Sequence, residues 1–165
     1  MVAMPRRPVQ APPELSESAT RVLRRFRLVF NTVKTHFRQV EKEAGIGGAQ
    51  VWALSLIENR PGIGTSELAR AMDVHQSTAS NLVRALQARG YVQADKQGAD
   101  RRAVQLKLLP AGRAVLNKAP APLSGVLPQA LATLDAHTLA RLDEDLARLI
   151  AVLDGDERDA KVPLG

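Results

Sequence analysis

The chain has 165 residues, 45% of them hydrophobic but only 3% aromatic, and carries 23 Lys+Arg against 17 Asp+Glu for a formal charge of +6. That length suits one compact domain, alone or with an oligomerisation element, and an aliphatic, alanine-rich core favours helices over a β-sandwich. The absence of cysteine excludes disulfides, thiolate zinc sites and thiol redox sensing, while the basic balance suits a polyanion (nucleic acid or an acidic membrane surface) or serves solubility alone.

Residues 1–13 are rich in Pro and Ala and read as a flexible N-terminal arm. Arg6 and Arg7 are not followed by an apolar h-region, so no secretory signal is expected and the cytoplasm is the expected compartment. Residues 14–153 read as a single domain. Its first helix carries Leu15, Ala19, Val22, Phe26, Val29, Val33, Phe37 and Val40 at spacings of three and four, a narrow apolar seam ended by Gly45, Gly47 and Gly48. A second helix is expected over Ala49–Asn59, with Val51, Trp52, Leu54, Leu56 and Ile57 buried, stopped by Arg60-Pro61-Gly62. Thr65 is the expected cap of a short third helix through Met72. Asp73-Val74-His75 is a tight turn in which Asp73 tolerates left-handed backbone, and a fourth helix runs from Gln76 to Arg89 before Gly90.

After Gly90 the hydrophobic period changes to alternation. Tyr91–Asp95 and Ala103–Leu108 read as strands joined by the polar tip Lys96-Gln97-Gly98-Ala99-Asp100-Arg101-Arg102. Pro110 is suited to start a further helix, which Pro120, Pro122 and Pro128 interrupt. Leu139, Leu142, Leu146, Leu149 and Leu153 form a second seam on the last helix, and the acidic tail over 154–165 is expected to fray. The fold class is therefore mainly α with one small β-hairpin.

The fourth helix carries the chemistry. Ala79, Leu82, Val83 and Leu86 make one buried stripe; opposite lie Gln76, Ser77, Ser80, Asn81 and Arg84, with no Asp or Glu between Gln76 and Gly90. Such a face can approach phosphates and read bases, because Gln and Asn pair bidentately with adenine, Arg with guanine, and Ser or Thr bonds phosphate. The helix N-terminus adds its positive dipole. Lys96, Arg101 and Arg102 around Gly98 can reach along a DNA backbone or into a minor groove, and Asp100 can orient one of the arginines.

From Thr65 to Gly112, the stretches "TSELARAMDVHQSTASNLVRALQARGYV" and "DRRAVQLKLLPAGRAVL" resemble the MarR family of winged helix-turn-helix regulators. The resemblance implies a winged core over about 47–109, with dimerisation helices over about 14–44 and 110–153. It assigns DNA contact to Gln76, Ser77, Thr78, Ser80, Asn81, Arg84, Lys96, Arg101 and Arg102. It also implies a homodimer joined through Leu15, Val22, Phe26, Leu139, Leu142, Leu146 and Leu149, bound to a near-palindromic operator on double-stranded DNA. The expected role is a repressor released by a small aromatic or phenolic effector, for which His36, Arg38 and Trp52 are the candidate ligand residues. The chain departs from the family's pattern at His75, where a capping serine is usual. It departs again at Asn81, in place of arginine, and at Leu109, in place of threonine.

Two other readings compete. An enzyme would need a paired carboxylate site, a metal cluster or a phosphate-cradling glycine motif, and none is visible; His36, His75 and His137 are scattered, so no metal or other cofactor is expected. A winged-helix module used only for protein–protein contact would lack the polar helix face and the basic hairpin.

Overall fold

The computed structural model describes residues 14–96 and 104–165. Helix α1 spans Glu17–Ala44; Ser16 Oγ accepts from the Ala19 N–H at 3.2 Å, and Gly45, at φ 75°, ends it. Leu15 therefore precedes the helix instead of opening it. Only the C-terminal part of α1 is covered, through Val33, His36, Val40 and Ala44, while Val22, Leu28, Val29 and Phe30 are exposed. The apolar surface is thus wider than the expected seam, because Phe30 stacks on Phe26 at 6.1 Å.

Helix α2 (Gly48–Asn59) is the hub of the core, with Val51, Ala53, Leu54 and Ile57 at 1% exposure or less; Trp52 and Leu56 are only half-buried. Helix α3 (Thr65–Met72) begins one residue earlier than expected: Thr65 is its first residue and Gly64 its cap. Threonine is not needed there because Glu67 reaches back to accept from the Gly64 N–H at 3.0 Å. Asp73 adopts the left-handed conformation (φ 51°, ψ 47°) that lets the chain turn into α4 (Gln76–Ala88).

Gly90, at φ 70°, takes the chain out of α4 into β1 (Val92–Lys96), which pairs antiparallel with β2 (Val104–Leu108) in the register Val92↔Leu108 to Lys96↔Val104. The segment after α2 joins this hairpin, since the Gly62 N–H donates to Leu106 O and the Leu106 N–H to Ile63 O, both at 3.0 Å. Leu106 consequently sits fully buried against α2 and α3. The hairpin root is thereby fastened to the helical core, and a rigid root is what a projecting loop needs in order to be aimed.

The prolines divide the next stretch into α5 (Pro110–Lys118) and α6 (Val126–Ala132). Arg113 ties α5 to α2 through Glu58 at 3.2 Å, and α6 packs on α1. Helix α7 (Ala136–Leu153), capped by Asp135, has no substantial packing partner among the described elements. Leu139, Leu142, Leu146 and Leu149 on it stay 36–41% exposed. The tail does not fray: a 3-10 turn over Glu157–Lys161 folds back onto the α3–α4 turn. Asp156 organises that turn, its carboxylate accepting from the Arg158 N–H at 2.9 Å and pairing with the guanidinium at 2.6 Å. Among the described residues, no helix is long and apolar enough to cross a membrane.

Candidate nucleic-acid interface

Helix α4 is oriented by its buried stripe. Ala79, Val83 and Leu86 are buried and Leu82 half-buried, which turns Gln76, Ser77, Asn81, Arg84 and Gln87 to solvent. Thr78 and Ser80 are half-buried; Ser80 donates its hydroxyl to Gln76 O at 2.9 Å, so its oxygen can still accept or contact a ligand. Arg84 Nη1 donates to Asn81 Oδ1 at 3.1 Å, which holds two candidate base-reading side chains as one unit. At the far end Arg89 reaches Gly45 O at 3.5 Å, linking α4 to the end of α1.

His75 is the N-cap residue of α4, with extended backbone (φ −62°, ψ 147°) and no side-chain cap bond. No side-chain oxygen caps the amide groups opening α4, and the helix dipole there favours an anion.

A groove separates α4 from the hairpin and the start of α3. Gln76, Ser80, Arg84 and Gln87 line one side, Lys96 and Gln105 the other, and Thr65, Ser66 and Glu67 its end. Lys96 is exposed at the end of β1, where the described part of the hairpin stops. Arg101 and Arg102, with Gly98 and Asp100, lie outside the described residues. The groove also adds polar groups that periodicity does not single out. Gln87 continues the exposed face of α4 by one turn, and Gln105 faces it across the hairpin. Glu67 is an acidic group beside this surface, and its carboxylate is engaged by the Gly64 N–H.

The hairpin is braced electrostatically. The Lys107 ammonium lies 2.9 Å from the Asp95 carboxylate and Gln93 donates to it at 2.7 Å; the hydrogen bond from Lys107, then that from Gln93, holds the Asp95 carboxyl below its usual value.

A second concavity lies between α1, α2, α6 and the α3–α4 turn, enclosing about 360 Å³. His36, buried, and Trp52, half-buried, both line it; Arg38 sits on the exposed face of α1, outside the lining. Among the described residues, no three His, Asp or Glu side chains converge as a metal site.

A helix–turn–helix whose second helix is exposed along its polar face, followed at once by a hairpin anchored in the same core, defines a winged helix-turn-helix protein. Residues 44–103 match the sequence profile of the MarR family. No curated protein matches the sequence. Among solved structures, Sco3205 from Streptomyces coelicolor, a MarR family transcriptional regulator in complex with DNA, is similar at 22% identity and a TM-score of 0.57, over 92% of this chain and 97% of that one. MepR of S. aureus, also solved with DNA, is similar at 16% identity and a TM-score of 0.55, over 84% and 99%. BpsR of Bordetella bronchiseptica, whose DNA binding is regulated by 6-hydroxynicotinic acid, is similar at 22% identity and a TM-score of 0.53, over 88% and 100%.

Proposed function

We propose that this chain is a transcriptional regulator that binds specific double-stranded DNA as a homodimer and acts as a ligand-responsive repressor. The observation that carries the reading is the solvent face of α4: Gln76, Ser77, Asn81 and Arg84 exposed together, without a carboxylate, beside a groove closed by Lys96. That surface can bond phosphates and base edges at once, as major-groove readout requires. Similar folds solved on DNA support it. The homodimer is supported by the uncovered leucines of α7 and the uncovered N-terminal half of α1, which together exceed the scattered apolar exposure of an ordinary monomer. Ligand response is supported by the cavity that His36 and Trp52 line, which has room for a small aromatic or phenolic effector, and by the regulated relative BpsR.

The test is selection of bound duplexes, with footprinting upstream of the protein's own gene, followed by a salt series. A two-fold dimer places two α4 helices in successive major grooves about 34 Å apart, so a near-palindrome is expected. Lys96→Ala or Arg101→Ala removes one cation per subunit, and a phosphate-contacting wing then loses about 1–2 units of salt slope, whereas Arg102→Ala should change thermal stability more than the slope. Of the two arginines, Arg101 is assigned the DNA contact and Arg102 the more structural role. Duplex binding that is absent, or insensitive to salt, refutes the reading in favour of a protein-docking module.

A further inference from the structure

The tail after α7 spans the cavity. At one end the His75 N–H donates to Lys161 O at 3.4 Å, and His75 Nε2 lies 2.9 Å from Arg158 O. A carbonyl oxygen can only accept, so Nε2 carries the proton in that contact. At the other end the Ala49 N–H, at the start of α2, donates to Gly165 O at 2.7 Å. Gly165 lies so close to the Phe37 ring that a Cβ there would come within 2.8 Å of it. Between these anchors Val162, Pro163 and Leu164 line the cavity, with Val162 and Leu164 still more than half exposed.

The lining is largely apolar; among the described residues Lys161 is its one Lys or Arg side chain and Asp73 its one carboxylate. Its ammonium lies 3.9 Å from Asp73, with both side chains more than half exposed. Such a pair contributes little, so Lys161 can exchange Asp73 for another anion at small cost. An anion carried into this apolar space, conversely, needs a cation at its rim.

We propose that Asp156–Gly165 is a strap that completes the cavity as a binding site for a one- or two-ring aromatic acid. Lys161 pairs with the acid's anion, and occupancy tightens the strap on His75, the cap of the recognition helix. This rests on the ligand-responsive reading above and adds to it the component that carries occupancy to α4. The strap touches the ligand with Lys161, Val162 and Leu164 and the DNA-reading helix with the carbonyls of Arg158 and Lys161, so both contacts reside in one short segment.

The single tryptophan, Trp52, lies in the cavity wall, so its fluorescence reports occupancy without DNA. The probe is 2-naphthoate, with neutral 2-acetylnaphthalene as comparator, titrated into the full chain, a chain ending at Gly155, and Lys161→Ala. The full chain is expected to bind 2-naphthoate, and removing the strap to weaken it roughly tenfold or more. Lys161→Ala should weaken 2-naphthoate roughly tenfold while leaving 2-acetylnaphthalene unchanged, a split that general loosening of the tail would not produce. Hydrogen exchange at the His75 amide should slow on adding 2-naphthoate to the full chain and not to the shortened one. No binding by the full chain, equal or tighter binding without the strap, equal losses for acid and ketone, or unchanged His75 exchange each overturns the proposal. None of these readouts uses DNA, so failure of the DNA reading is scored separately.

Discussion

Gly112 lies inside α5 where the helix crosses the root of the hairpin, and replacing it by Ala sets two effects of opposite sign against each other. Ala in place of an interior helix glycine ordinarily adds about 1 kcal/mol. Here the new Cβ would overlap Tyr91 O and meet Leu108 Cδ1 at 2.7 Å. Leu108 can swing aside; Tyr91 O cannot, because it is held by the Leu109 N–H at 2.9 Å. Relief therefore requires α5 to lift off the hairpin, and overpacking against backbone costs about 2–3 kcal/mol at the upper end of the usual range. The expected net result is a loss of about 1–2 kcal/mol, or a Tm lower by about 3–8 °C for a chain of this size. Thermal unfolding followed by far-ultraviolet circular dichroism measures it, at matched protein concentration because association contributes to Tm. Ala114→Gly, at an exposed position of the same helix, calibrates the helix term. A Gly112→Ala protein as stable as the parent would refute the close approach of α5 to the hairpin.

Asn81→Ala should cost about 1–3 kcal/mol on the selected operator and little on random duplex; equal losses on both would mean that Asn81, which holds Arg84, only positions the backbone. Leu146→Asp places an unpaired charge in the uncovered α7 stripe and should convert a species of twice 17.8 kDa to monomer in light scattering. A parent protein already monomeric at micromolar concentration would remove the palindrome argument. Because Lys107 and Gln93 hold Asp95 below its usual value of 3.8, its contribution to stability is present above that value and lost as pH falls through the folded one. Asp95→Asn should remove that component, so denaturant midpoints of the two proteins should converge as pH is lowered into the acid range.

Helices were legible wherever one stripe of apolar residues met a clear stop. Gly90 and the Asp73 turn are cases in which the backbone requirement and the residue agree, and α4 begins at the expected Gln76, while α3 begins one residue early, at Thr65. The Gly64 cap was missed because a glutamate three residues on supplies the acceptor that Thr65 was expected to supply. Groove residues Gln87 and Gln105 became visible only once the register of the hairpin against α4 was known, since neither breaks a periodicity. The resemblance named Arg38 together with His36, yet two residues along a helix turn a side chain to another face, and Arg38 is exposed. The docked tail gave no local signal at all: on its own side every anchor is a backbone carbonyl, and backbone carbonyls look alike in every sequence.

Helix α7 carries a further consequence. An 18-residue helix without a surface to lie on is only marginally ordered in water, however well Asp135 caps it. In the proposed homodimer its folding and its association form a single equilibrium, set by mass action. On that reading, below a threshold abundance the chain keeps its hub around α2 but lacks the frame that would space two copies of α4, and the concentration of the protein becomes an input in its own right.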